Sequence, residues 1–251
     1  MNKNSADTHI DRLFFEQKQD LPPFSFNQAV VDVFPDMINR SVPSYQTIID
    51  GIGRIAAKQL SENAQVYDLG CSLGSVSLSI AKHCSAKGVK CTNIRAIDYS
   101  HEMVARCKQH LNAFNYSANI EVHQADITEV EFESCDLVVI NFTLQFIPVE
   151  KRQGIIDKIF TALKPGGILI ISEKIRSQIS EIDTLLVELH HDFKRENGYS
   201  DLEISQKRSA LEKVMILDTL ETHKGRLTQS GFTKVDTWMQ HFNFLSLVAV
   251  K

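Results

Sequence analysis

The sequence predicts a doubly wound α/β domain built on a mostly parallel sheet, and three observations carry that expectation. Short apolar runs alternate with segments of helical period along most of the 251 residues, the arrangement that joins parallel strands through helical crossovers. Val66-Tyr67-Asp68-Leu69-Gly70-Cys71-Ser72-Leu73-Gly74 reads as a short buried strand that stops on an acidic residue and turns through two glycines into a helix. Glycines at such a turn let a ligand approach the backbone, and the helix behind offers unpaired N–H groups to an electron-rich group. The third observation is Asp136-Leu137-Val138-Val139-Ile140-Asn141, apolar throughout its middle as a strand covered on both faces must be.

The whole chain fits one large domain, residues 1–251, long enough to bury a substantial core. Charged residues make up 23% and hydrophobic residues 43%, ordinary values for a soluble globular protein. No apolar run reaches the ~20 residues of a membrane span, and the polar Met1–Asp11 segment lacks a signal-peptide core. Cys71, Cys84, Cys91, Cys107 and Cys135 form no C-x-x-C pair, so neither zinc nor a disulfide scaffold is expected. Reduced thiols in a cytoplasm fit that pattern. A formal charge of −4 argues against a broad nucleic-acid surface.

Residues 1–23 end in Pro22-Pro23 and read as an N-terminal arm. Residues 24–62 hold two helices: Phe26, Val30, Val33, Phe34 and Met37 recur at helical spacing, then Pro43 suits a helix start before Ile48, Ile52, Ile55 and Ala56. Tyr45 falls in the first turn of the second helix, within reach of a ligand but as readily a packing residue. After the glycine turn, Asn93 to Ile97 is a strand ending at Asp98, and Ser100 caps a helix carrying Met103, Val104, Cys107 and Leu111. Strands follow at Ile120 to His123 and at Asp136 to Asn141. Pro148 opens a helix, and Pro165-Gly166-Gly167 turns into a fifth strand, Ile168 to Ser172. Residues 177–229 break the rhythm. Leu185, Leu186, Leu189 and Phe193 suggest one helix there, and Leu211, Val214 and Met215 another, together a helical insertion over the carboxyl ends of the strands. Lys234 to Met239 and Phe242 to Val250 are the closing strands.

The glycine turn supports three chemistries. As a dinucleotide fingerprint it lacks the middle glycine of G-x-G-x-x-G. Gly70-Cys71-Ser72-Leu73-Gly74 matches the hydrolase elbow G-x-S-x-G with Ser72 as nucleophile. Mostly helical sequence precedes Ser72, however, and neither His223 nor His241 has an obvious acid partner. The third reading is S-adenosylmethionine binding, and Asp68 favours it: an anion there repels a pyrophosphate but suits a ligand ammonium group. Asp98, at the next strand end, can accept both ribose hydroxyls. Asp126 can accept from the adenine amine while Ile127 contacts the ring. Each Asp alone reads as a cap or turn former, whereas together with the glycine turn they point to an adenosyl ligand.

Asn141-Phe142-Thr143-Leu144-Gln145-Phe146 follows the fourth strand, where the reactive sulfonium of such a ligand is presented. The Pro-Pro-aromatic sequence of amine methyltransferases is missing, which weakens an amine acceptor. His190-His191 point in different directions on a helix and read as structural or capping; no metal spacing is evident. Lys194, Arg195, Lys207 and Arg208 stand out in an acidic chain. Lys194 and Lys207 read as solvated, while an inward Arg would suit a carboxylate.

From about residue 24 to the end, the chain resembles the carboxy-S-adenosyl-L-methionine synthases. The blocks that carry the resemblance include Val33-Phe34-Pro35-Asp36-Met37-Ile38, Arg40-Ser41-Val42-Pro43, Val66 to Gly74 and Asn141 to Phe146. Others are Ser172-Glu173-Lys174, His190 to Arg195, Asn197-Gly198-Tyr199-Ser200, Glu203 to Arg208 and Glu221-Thr222-His223-Lys224. The resemblance implies a Rossmann-like S-adenosylmethionine-dependent methyltransferase fold with seven strands, the last antiparallel, and a helical lid. It implies ligand contacts by Tyr45, Gly70, Cys71, Ser72, Asp98, Tyr99, Asp126, Ile127 and Asn141, and a catalytic Arg208 that pairs with the carboxylate on the modified sulfonium. Tyr99 departs from the Asn the family commonly has there. The implied reaction is a one-carbon (carboxyl) transfer. It turns S-adenosyl-L-methionine and prephenate into carboxy-S-adenosyl-L-methionine, phenylpyruvate and water, supplying the donor for tRNA wobble-uridine modification without a metal. Product that co-purifies, a homodimer and association with the downstream tRNA carboxymethyltransferase belong to the same expectation, with no direct nucleic-acid or membrane contact. An ordinary small-molecule methyltransferase is the alternative, and a non-catalytic binding protein a third class.

Overall fold

Successive side chains of the central strands fall alternately into two separate apolar clusters, and that alternation sets the architecture. The computed structural model describes residues 10–18, 20–89 and 92–251, so Cys91 and the start of the arm lie outside the described residues. The strands are β1 (Gln65–Leu69), β2 (Asn93–Asp98), β3 (Asn119–Gln124), β4 (Cys135–Asn141), β5 (Leu163–Lys174), β6 (Lys234–His241) and β7 (Phe244–Val250). Leu137, Val139, Ile168 and Ile170 belong to one cluster, while Val138, Ile140, Leu169 and Ile171 belong to the other. With a side-chain period of two, only a sheet covered on both faces buries every position this way.

The helices are α1 (Gln28–Ser41), α2 (Tyr45–Gln59), α3 (Ser75–Ala86), α4 (His101–Leu111), α5 (Val149–Ala162), α6 (Ser180–Glu196), α7 (Asp201–Leu211) and α8 (Leu220–Ser230), and four of them supply most of the two covers. Ile48 and Ile52 of α2 and Ile80 of α3 fill the first cluster; Ile155, Ile156 and Ile159 of α5 and Leu227 of α8 fill the second. The sheet order is β3-β2-β1-β4-β5-β7-β6. The first five strands are parallel, and β7 runs antiparallel between β5 and β6. Leaving β1, the chain builds outward through β2 and β3, then returns to lay β4 on the other side. The carboxyl ends of β1 and β4 therefore flank a topological switch point, where a crevice opens between diverging connections.

Several elements differ from the sequence expectation. Pro43 does not open α2. Val42-Pro43-Ser44 forms a tight turn instead, with the Tyr45 N–H bonded to the Val42 carbonyl at 3.2 Å and Ser44 in the left-handed region at φ 58°. β5 starts at Leu163, before the two glycines, because Leu163 pairs with Cys135 of β4 and the chain end holds the glycines: Gly166 N–H donates to the Lys251 carbonyl and Lys251 N–H to that of Gly167. β7 starts at Phe244, since Phe242 at φ 51° makes the turn from β6. Leu211, Val214 and Met215 do not share a helix. The second helix of the insertion is α7, opened by a reciprocal capping box between Ser200 and Glu203, and Val214 and Met215 fold back to the Leu211 carbonyl.

The arm is tied down where it is described. Gln206 donates to the carbonyls of Phe14 and Glu16, and Asp11 N–H donates to Asp36 at 2.8 Å. It thereby straps α7 to α1.

Candidate functional site

A cavity of about 860 Å³ opens at the switch point, beyond the carboxyl ends of β1, β2 and β4, and is closed by α6, α7 and the segment ahead of α1. Tyr45, Gly70, Cys71, Ser72, Asp98, Tyr99, Asp126, Ile127 and Asn141 all line it, together with Asp68. These residues are far apart in sequence. Parallel pairing brings their strand ends to one edge of the sheet.

The turn after β1 is held mostly by its own neighbours. Gly70 and Cys71 N–H groups both donate to the Ile97 carbonyl, at 2.8 and 3.0 Å. Gly70 sits at φ 78°, and a Cβ there would lie 2.1 Å from Thr143 Oγ1, so the loop after β4 packs directly on a bare backbone. Asp68 is buried and accepts from Ser77 twice, from its N–H at 3.1 Å and its hydroxyl at 2.6 Å. Both bonds use Oδ2. The carboxylate thus closes the first turn of α3, and Oδ1 remains to receive a cationic group. Burial pushes the Asp68 carboxyl up to about 6, and a cation placed beside it would draw that value back down.

Asp98 accepts Ser72 N–H on one oxygen and Ser100 N–H on the other, both at 2.9 Å. An ionised carboxylate offers about four acceptor positions, so two remain for the hydroxyls of a diol. Burial raises its carboxyl above the ordinary value. Tyr99 follows, 76% exposed; its carbonyl accepts from Gln124 at 3.4 Å. Tyr99 therefore sits at the rim of the cavity. Asp126 accepts Thr128 N–H at 2.9 Å, beside a buried Ile127 that offers a flat apolar contact. Asn141 ends β4 with its Oδ1 buried and without a hydrogen-bond partner among the described residues. A buried acceptor left this way costs free energy until a donor arrives. Tyr45 packs against Phe142 with ring centroids 6.3 Å apart, and burial pushes its phenol up to about 12. One end of the cavity therefore suits a ligand that carries an ammonium group, a vicinal diol and an aromatic base.

Ser72 has no histidine hydrogen-bonded to its hydroxyl among the described residues. His241 Nδ1 instead meets Ser44 Oγ at 2.7 Å, and His223 is buried beside the Arg152–Asp218–Arg226 cluster. The elbow has no triad. Among the described residues no group of three or more His, Cys, Asp and Glu could hold a metal.

The other end of the cavity carries the largest correction to the sequence reading. Lys194 and Lys207 are not solvated: each is buried, and both line the cavity with Lys174. Lys207 Nζ reaches Asp11 at 3.2 Å and Ser41 Oγ at 2.9 Å, with Tyr199 OH also bonded to Asp11. Burial and the neighbouring Lys174 push Lys194 down to about 7, and burial with nearby Arg208 pushes Lys174 down to about 8. Arg208 is not among the lining residues. Its guanidinium is 55% exposed and paired with Glu212 at 2.5 Å, while its charge still acts on Lys174 and Lys194.

Two supports for the site had no clear sequence signal. Glu173, buried at the end of β5, accepts the main-chain N–H groups of Thr143, Leu144 and Gln145 at 3.2, 2.8 and 3.0 Å, which fixes the loop after Asn141. Arg152 is fully buried and donates to the carbonyls of Gln145, Ile147 and Ile216 while pairing with Asp218 at 2.6 Å. His190 is buried on α6, where its Nε2 meets the Ser41 carbonyl at 2.8 Å. The sequence reading of a structural role fits that contact. Ser200-x-x-Glu203 was the one local signal that could have placed α7.

A methyltransferase-domain family matches residues 66–167. Among solved structures, human N-acetylserotonin methyltransferase in complex with S-adenosylmethionine superposes with a TM-score of 0.59 at 17% identity, covering 89% of this chain and 55% of that one. An N-methyltransferase from Bradyrhizobium japonicum in complex with S-adenosyl-L-homocysteine gives 0.56 at 16%, covering 83% and 88%. These neighbours share the fold. Carboxy-S-adenosyl-L-methionine synthases are nearer in sequence: that of Colwellia psychrerythraea is 48% identical over 245 residues, 98% of this chain and 99% of the relative. That of Erwinia tasmaniensis is 50% identical over 241 residues, 96% and 97% of the two chains. Sharing about half its residues with them over nearly its full length, on an S-adenosylmethionine-dependent methyltransferase fold, the chain belongs to the carboxy-S-adenosyl-L-methionine synthase family of transferases.

Proposed function

We propose that the chain converts S-adenosyl-L-methionine and prephenate to carboxy-S-adenosyl-L-methionine, phenylpyruvate and water, and so supplies the donor for wobble-uridine modification of tRNA. The observation that carries this reading is the polarity of one cavity: Asp68, Asp98 and Asp126 line the end at the strand tips, while Lys174, Lys194 and Lys207 line the end beneath the lid. A cationic sulfonium nucleoside fits the first end. Methyl transfer alone gives no reason for the second, whereas an anionic co-substrate does.

The reaction balances without a side-chain nucleophile. Prephenate loses its ring carboxyl as carbon dioxide and its ring hydroxyl as hydroxide, becoming aromatic. The hydroxide leaves as water with a proton from the methyl group on sulfur, and that carbon bonds the carbon dioxide. The chain's part is to hold and to exclude: Asp68 and Asp98 take the amino-acid and ribose parts, Asn141 orients the reacting end, and Phe24, Phe26 and Phe146 keep water out. Arg208 reads the new carboxylate in this proposal, which must compete with Glu212 for the guanidinium. Exposed Ile179, Ile182 and Leu185 at the start of α6 support a homodimer, in which Arg208 could serve either subunit's cavity. The same reading has the enzyme act in the cytoplasm, beside the tRNA carboxymethyltransferase that uses its product.

Mass spectrometry of products formed with and without prephenate tests the proposal. A carboxylated nucleoside that appears only with prephenate is the expected result. A methylated acceptor and S-adenosylhomocysteine would instead mark an ordinary methyltransferase, the reading that the solved neighbours share.

A further inference from the structure

The cations around the lid divide into two kinds. Arg195 pairs with Asp192 and Asp201, Lys207 with Asp11, and Arg208 with Glu212. Lys174 and Lys194 have no carboxylate in ion-pair range among the described residues. Asp183 and Glu212 act on Lys174 only from longer range, and the charges acting on Lys194 are all positive. Two lysines placed beside one cavity without a counter-ion repel each other, a cost with no return in the empty protein.

His190 explains how they are held. Its Nε2 lies 2.8 Å from the Ser41 carbonyl, which can only accept, so Nε2 carries the proton. Burial keeps the ring neutral, which leaves Nδ1 with a lone pair. Lys174 Nζ lies 3.4 Å from that Nδ1 and 5.6 Å from the Phe244 ring centroid. One ammonium hydrogen is thus occupied, and the others are free for the cavity. Lys194, one helical turn beyond His190 on α6, is 6% exposed, and its ammonium has no hydrogen-bond partner among the described residues.

We propose that Lys174 and Lys194, with His190 orienting the former, form the subsite that binds the carboxylate of a 2-oxo acid, the side-chain carboxylate of the second substrate. The inference rests on the two-substrate reading above and adds which end of that substrate is held. Prephenate carries two carboxylates on substituents of one ring carbon. The ring carboxylate must depart, and a strong ground-state grip on it would oppose the step. The 2-oxo carboxylate survives into the product, so it is the group a fixed cationic pair can hold throughout. Apolar Leu211, Met215 and Phe26 line the same cavity and can cover the ring.

Calorimetry with phenylpyruvate as the probe, on protein loaded with S-adenosylhomocysteine, tests the subsite without any turnover. Lys174→Met and Lys194→Met should each weaken phenylpyruvate binding about tenfold or more, the loss expected when one partner of a desolvated charge pair is removed. Both variants should keep S-adenosylhomocysteine affinity, which reports that the cavity is folded. Lys194→Arg should recover part of the affinity, and the KM for prephenate should rise in parallel. Unchanged phenylpyruvate affinity in both Met variants, or a loss confined to one of them, would overturn the paired subsite. The reaction reading fails by a different result, the absence of prephenate-dependent product in the unmodified protein.

Discussion

Asp98, at the tip of β2, accepts the main-chain N–H of Ser72 at 2.9 Å, so the acid that ends one strand holds the turn that ends its neighbour. Asp98→Ala should therefore do two things. Two backbone donors lose their acceptor, which destabilises the fold by about 1–3 kcal/mol, and ribose hydrogen bonds are lost at a similar cost in affinity. Asp98→Asn keeps one carbonyl oxygen and should fall between. Thermal unfolding and S-adenosylmethionine calorimetry separate the two effects; full affinity in the Ala variant would reduce Asp98 to a turn support.

Glu173 serves the loop after β4 as Asp98 serves the turn after β1. Glu173→Ala strips three buried N–H groups of their acceptor, and at about 1–3 kcal/mol for each unsatisfied donor the variant should be severely destabilised. Glu173→Gln should fold better, because its carbonyl still serves Thr143 and Leu144 while its amide meets the third donor badly. A melting temperature equal to that of the unmodified protein in the Ala variant would contradict the role.

The lysine pair predicts a direction of pH dependence. Lys194 is lowered from 10.5 to about 7 by burial first and by Lys174 second. For a cation depressed on folding, the unfolded chain binds more protons between those values, so stability rises with pH across that interval. Its contribution is full above 10.5 and is lost as pH falls through about 7. Relative to Lys194→Met, the parent should lose stability from pH 10 toward pH 7 in denaturant titrations. Phenylpyruvate binding at pH 8 should take up protons, seen by calorimetry in buffers of different ionisation enthalpy. Equal proton uptake in the Met variant would count against Lys194 as the source.

Arg208 and Glu212 form an exposed pair, which contributes at most about 1 kcal/mol to stability. Arg208→Ala should therefore melt near the parent. If Arg208 reads the added carboxylate, the same change should cost carboxy-S-adenosyl-L-methionine about 2–5 kcal/mol of affinity and S-adenosylmethionine much less. Arg208→Lys should recover only part, since an ammonium lacks the two parallel hydrogen bonds of the guanidinium. Equal losses for both ligands would assign Arg208 to the common part of the site.

Much of the fold was legible because it rests on local pattern. The apolar middle of β4, the Gly70–Gly74 turn and the acids ending β1 and β2 are consequences of what a doubly buried parallel strand and its crossover require. The acidic end of the cavity follows from them, since strand ends in a parallel sheet meet at one edge. The signs of the lid side chains did not follow. Lys194 and Arg208 lie on helices of mixed polarity, and a cation on such a helix faces water by default. Its actual direction depends on what packs across from it: the Ser41 carbonyl and Asp11, 149 and 196 residues away, draw α6 and α7 over the cavity. Those contacts turn Lys194 and Lys207 inward and leave Arg208 beside Glu212. Glu173 was equally hidden, because a buried carboxylate is tolerable only with donors to receive it, and its three donors come from the neighbouring strand's loop. Sequence by itself determined the sheet, the turn and the acidic end of the cavity. Tertiary packing alone decided which cations face the cavity, because burial of a charge is set by partners that sequence spacing does not place.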